Sequence, residues 1–222
     1  MKRRLLVLTM LLAACGGGFH TPGQQIAIGL SARAEPRSDN NSVLTVSRMR
    51  LVIGSIQLSQ AGGVTEQLDG PFLVDPKLDG TFTQIVKQAI DHGSYGNMSL
   101  SLRPLSANDP AEVSLAHANG FDDLLQANAT LAFEGTYGPE GTAGDPYQLL
   151  WSTTGEQTVR IDDGLQVKVG AASNVTLATD LKEWFARDAL GHPTDPRNSD
   201  ADDAFQAFSN TLHAAGEDDD HH

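Results

Sequence analysis

Apolar and polar residues alternate along much of this chain, and a period of two predicts strands. Between Gln25 and Ala32, the residues Ile26, Ile28 and Leu30 share one face. The longest such stretch is Ser42 to Gln60. There Leu44, Val46, Arg48 and Arg50 lie in one phase, and Val43, Thr45, Met49 and Leu51 fall mostly in the other. Ile53, Ile56 and Leu58 continue it past Gly54, where a bulge is expected. Pro71 to Val74 reads as a short strand ended by Asp75–Pro76, and Met98, Leu100 and Leu102 as another. Asn128 to Tyr137, Tyr147 to Trp151, Gln157 to Ile161, Leu165 to Val169 and Asn174 to Thr179 follow, parted by turns such as Asp163–Gly164. Thr81 to Ile90 fits a helix or a strand: Phe82, Ile85, Val86, Ala89 and Ile90 have helical spacing, but the context is rich in threonine. Many short strands at close spacing predict a mainly β fold, an antiparallel β-sandwich.

The period changes in the carboxyl third. Asp180 with Glu183 three residues later forms a capping-box pattern, and Leu181, Trp184 and Phe185 share one face of a short helix ending near Gly191 and Pro193. A second helix starts near Ser199. Its stripe is Ala201, Ala204, Phe205, Phe208 and Leu212, and Gly216 would end it. One or two short C-terminal helices are therefore expected on the sandwich. Trp151, Trp184, Phe185, Phe205 and Phe208 would pack them there. Asp-Pro pairs at 75–76, 109–110, 145–146 and 195–196 mark element boundaries.

The amino-terminal segment follows a different pattern. Lys2, Arg3 and Arg4 precede an uncharged, mostly apolar run from Leu5 to Ala14. That run is about ten residues, and a bilayer span needs about twenty. The pattern is that of a signal peptide. Its end, Leu12–Ala13–Ala14–Cys15, resembles the lipobox of bacterial lipoproteins. That resemblance implies diacylglycerol on the Cys15 sulfur, cleavage before Cys15 and acylation of the new amine. It also implies outer-membrane placement, because Gly16 stands where an Asp retains such proteins in the inner membrane. Gly16, Gly17 and Gly18 supply a flexible tether. The expected organisation is signal peptide 1–14, tether 15–23, β-sandwich domain with its helices 24–215, and an acidic, His-ended tail 216–222.

Composition narrows the function classes. The chain has 222 residues with 22 Gly, 10 Pro and only 19% charged residues, which favours turns over long helices. Its formal charge is −13, and setting Lys2, Arg3 and Arg4 aside takes it to −16. Such a surface repels phosphate backbones, so no nucleic-acid partner is expected. Cys15 is the single cysteine, which excludes an intrachain disulfide and a thiolate metal cluster. The tail offers Asp218, Asp219, Asp220, His221 and His222 as carboxylate and imidazole ligands, a candidate for a weakly bound divalent metal.

Candidate chemistry elsewhere is sparse. His20, His92, His117, His192 and His213 form no HxH or HExxH pattern. His92 stands two residues before Ser94 where a nucleophile elbow needs glycine, so this segment reads as a turn. Asp122–Asp123 and Asp162–Asp163 would point to opposite faces of a strand or be solvated in a turn. Gly138, Gly141 and Gly144 read as a hairpin loop, since Asp145–Pro146 follows where a phosphate cradle would need a lysine. No catalytic residue and no resident cofactor are expected. The leading expectation is a lipid-anchored envelope protein acting as a binding or structural module. The alternative is a periplasmic or surface protein that binds divalent metal through its acidic surface and tail.

Several stretches together resemble a group of uncharacterised bacterial lipoproteins with a β-sandwich domain and an acidic, His-ended tail. They are Gly54–Ser55–Ile56–Gln57–Leu58, Gly93–Ser94–Tyr95 to Leu102, Phe133–Glu134–Gly135–Thr136–Tyr137, Asn174–Val175–Thr176–Leu177 to Trp184–Phe185, Asp195–Pro196 with the helix after it, and Glu217 to His222. The resemblance implies the sandwich fold, a membrane bond through lipid on Cys15 and an envelope protein as partner.

Overall fold

A computed structural model describes residues 24–39, 42–60, 62–181, 184–185 and 194–218. Its strands are β1 (Gln25–Arg33), β2 (Arg37–Asp39), β3 (Ser42–Gln60), β4 (Thr65–Val74), β5 (Thr83–Gln88), β6 (Gly93–Leu102), β7 (Leu131–Pro139), β8 (Asp145–Trp151), β9 (Gly155–Val167), β10 (Ala172–Asp180) and β11 (His213–Asp218). The helices are α1 (Pro110–Asn119), α2 (Asp122–Ala127) and α3 (Ala201–Thr211).

The protein is mainly β, as the alternation predicts, but its strands do not form an antiparallel sandwich. One continuous path of pairing runs β5-β1-β10-β11-β9-β6-β3-β7-β8, with β2 and β4 attached to β3. The β1–β10 and β9–β11 pairs are parallel, so the sheet is mixed. It curls strongly into a half-barrel, and the curl brings β5 back against β4. The physical reason is β11. It lies between β9 and β10 and joins what would otherwise be two separate sheets.

The pattern of β3 explains how the two parts meet. Its pairing shifts by one residue between Ile53 and Ser55 against both β4 and β6, which is the bulge expected at Gly54. From Met49 to Ile53 every residue is buried, although neighbouring side chains point to opposite faces. The inner face joins the main core, with Ile28, Ile56, Met98, Leu100, Ile161 and Leu177. The outer face at Val52 meets a second cluster of Leu105, Ala116, Phe121, Leu124 and Leu125, which α1 and α2 bring over the sheet.

Neither α1 nor α2 is expected from the periodicity. Only the Asp109–Pro110 boundary signals α1: Asp109 accepts a hydrogen bond from the Ala111 N–H as N-cap, Pro110 opens the first turn, and Gly120 closes it in the left-handed region. The 81–90 segment resolves as strand β5. The two strands expected on either side of Asp163–Gly164 are one strand, β9, because Asp163 and Gly164 take positive φ as a bulge while pairing to β6 resumes beyond them. The expected helix after Asp180 lies largely outside the described residues, but Leu181, Trp184 and Phe185 are buried. The second helix is α3, and it ends at Thr211. The chain then turns into β11, so Gly216, Glu217 and Asp218 belong to the sheet and not to a solvated tail.

The register sets two rims. Gln25, Ala172, Asp218, Leu165, Tyr95 and Gln60 fall near one end of the strands. Arg33, Asp180 and His213 lie at or near the other end of β1, β10 and β11. The nine residues of β1 put about 26 Å between the rims.

Candidate functional site

The second rim holds a cleft. Its volume is about 450 Å³, within the range of small-molecule sites. One wall is the end of β1, with Ser31 and Arg33, tied to the loop that carries Gly80. The Ser31 hydroxyl donates to the Gly80 carbonyl at 2.7 Å, the Gly80 N–H donates to the Ala32 carbonyl at 3.0 Å, and the backbones of Arg33 and Asp79 form an isolated antiparallel β-bridge. Hydrogen bonds from Thr81 hold the Asp79 carboxyl below the usual range and fix this turn. The opposite wall is Ala178 to Asp180 from β10, Asn210 and Thr211 from the last turn of α3, and His213 from the start of β11.

Thr179 and Thr211 contribute to this lining, and their hydroxyls are already engaged. They sit 3.0 Å apart, and the buried Trp184 indole N–H donates to both at 3.1 and 3.0 Å. Thr211 donates onward to the Ala207 carbonyl at 2.9 Å. This network positions the walls and leaves ligand contact to the groups at the mouth. Those are Arg33, whose guanidinium is exposed and 3.8 Å from Glu35, with Asn210 and His213, beside Asp180, which is itself partnered. A cation, a carboxylate, an imidazole and an amide around one opening suit a small polar ligand that carries charge.

Below the cleft an aromatic cluster closes the core. The Phe133 ring lies 5.2 Å from Trp151, 5.5 Å from Trp184 and 5.6 Å from Phe185, and Trp184 lies 5.1 Å from Phe208. These rings pack as the sequence predicts, with Phe205 partly buried beside them.

The remaining sequence candidates are scattered. Asp218 pairs with Ser173 at the far rim, while Asp219, Asp220, His221, His222 and Cys15 lie outside the described residues. Among the described residues, no three His, Cys, Asp or Glu side chains gather as a metal cage. Ser94 accepts a hydrogen bond from Gln166, and Gly138 to Gly144 forms the β7–β8 hairpin loop. Asp122 and Asp123 are not a free solvated pair. Asp122 bonds His117, and Asp123 takes a bidentate bond from the buried Arg50 at 2.6 and 2.6 Å. Burial pushes the Asp123 carboxyl up, but the hydrogen bonds and charge of Arg50 more than offset this and hold it low.

The cleft residues are not legible as a set in the sequence. Arg33 and His213 lie 180 positions apart in number, and only the pairing of β1 with β10 and β10 with β11 joins them. No family model, curated protein or solved structure matches this chain. No helix among the described residues is long and apolar enough to cross a membrane.

Proposed function

We propose that this protein is a lipid-anchored component of a bacterial envelope that binds a small polar ligand in the cleft between β1, β10 and α3. The observation that carries the anchor is the placement of Cys15, the chain's single cysteine, directly after Leu12–Ala13–Ala14 and an uncharged run behind three basic residues. An acyl chain contributes about 0.8 kcal/mol per buried methylene, so two or three chains give a lasting anchor where one does not. The tether enters β1 at Gln25, and the cleft opens about 26 Å away at the other end of that strand. The cleft and the point where the tether joins the sheet thus lie at opposite ends of β1.

Intact-mass spectrometry of the full chain expressed in a Gram-negative host tests the anchor. The expected product starts at Cys15 and carries diacylglycerol and a further acyl chain, while Cys15→Ser gives unacylated protein released from the membrane. A wild-type product that keeps Met1 and a free thiol overturns the reading. The cleft is tested by thermal shift with a panel of amino acids and small carboxylates. At least one should raise the melting temperature of the wild type and leave Arg33→Ala unmoved, whereas a panel without effect removes the binding role.

A further inference from the structure

Three large apolar side chains stand exposed among the described residues: Val169 at 60%, Val64 at 52% and Phe82 at 44%. Phe82 has a role in the fold, since its ring covers Gly29 and fills the space a side chain there would occupy. The two valines have none. Val64 follows Gly62–Gly63 in the turn from β3 to β4, and Val169 precedes Gly170 in the turn from β9 to β10.

Both turns belong to the rim where the chain enters the sheet. Gln60 pairs with Tyr95, Tyr95 with Leu165, Ser173 with Asp218, and Ala172 with Gln25. The turns are two to three strand spacings apart around that rim, about 10–15 Å. Eight residues lie between Cys15 and Gln24, and the nine fully extended steps from one to the other reach at most about 30 Å. An acylated Cys15 therefore joins the leaflet to the sheet at this rim, where the chain enters β1.

We propose that this rim rests on the lipid leaflet, with Val64 and Val169 as its apolar contacts, so that the anchored protein has one fixed pole. The proposal rests on the anchored reading of Cys15. Charge does not supply the seat. Lys168 and Lys87 are exposed near the rim, but Glu66 and Asp91 lie there too. Apolar tips together with acyl chains favour a leaflet without demanding an anionic one.

The test uses the acylated full chain in vesicles of phosphatidylethanolamine and phosphatidylglycerol. Because the Cys15 sulfur is blocked by its thioether, an introduced cysteine takes a fluorescent label alone. Val64→Cys, Val169→Cys and Asn210→Cys are labelled separately, and quenching by a nitroxide-bearing lipid is measured. Labels at 64 and 169 should be quenched several-fold more than the label at the cleft residue 210. Equal quenching at all three, or stronger quenching at 210, overturns the seated rim while the acylated mass still upholds the anchor. A mass without acyl groups overturns the anchor itself, and the seated rim with it.

Discussion

Arg50 is 3% exposed and holds four partners at once: both oxygens of Asp123, Glu134 at 2.8 Å, the Gly120 carbonyl at 2.9 Å and the face of the Phe121 ring. It fastens the α1–α2 pair to the sheet. Arg50→Ala should lower unfolding free energy by about 2 kcal/mol in urea titration, below the value for a fully buried pair because both carboxylates keep some water. Glu112 does similar work nearby. It bonds Arg103 at 2.6 and 3.1 Å and accepts the Ser106 N–H at 2.7 Å. The Arg103 hydrogen bonds outweigh burial and hold its carboxyl below the ordinary glutamate value of 4.5. A carboxyl lowered in the folded state stabilises fully above pH 4.5 and loses that contribution as pH falls through its lowered value. Glu112→Gln should therefore cost about 1–2 kcal/mol at neutral pH, and its gap from the wild type should narrow steadily below pH 4.5. Equal gaps at pH 7 and pH 3, measured by denaturant titration, would refute that assignment. Under the cleft, Trp184 donates to two hydroxyls, so neither Thr179→Val nor Thr211→Val alone strands its N–H. The double variant does, and a thermal double-mutant cycle should show a loss larger than the sum of the singles.

At the level of elements, β3 and β7 depend on the absence of a side chain at Gly135. A methyl group there would overlap the Thr45 carbonyl and meet the Tyr147 hydroxyl at 2.7 Å. That hydroxyl donates to the same Thr45 carbonyl at 2.8 Å. Gly135→Ala should lower stability by about 1–3 kcal/mol, read as a drop in melting temperature. The strands were legible where one face meets water. Met98, Leu100 and Leu102 alternate because β6 buries a single side. β3 reads less cleanly from 49 to 53 because α1 and α2 bury its second face. Those helices leave little trace of their own. The buried positions of α1 are Glu112 and Ala116, so no apolar stripe announces it, and α2 has only six residues. The expected helix end at Gly216 failed for a related reason. His213 to Asp218 is a small, polar segment whose strand state comes from β9 and β10 on either side.

The whole molecule turns on that last strand. A sandwich is the natural reading of many short strands, and nothing local in residues 213–218 reveals that they join two halves. The cleft was hidden by the same fact, since β11 brings His213 to Ala178 and so to the end of β1. A chain ending at Leu212 should lose cooperative unfolding in circular dichroism, because β10 and β9 would face each other across a missing strand. A truncated chain that melts in one sharp transition would show β11 to be dispensable. The position of β11 also bears on synthesis. Its partners are all made earlier, and they must wait for residue 218 before the sheet can close. A nascent polypeptide cannot join the two halves of this fold until residues 213–218 have emerged to pair with β9 and β10.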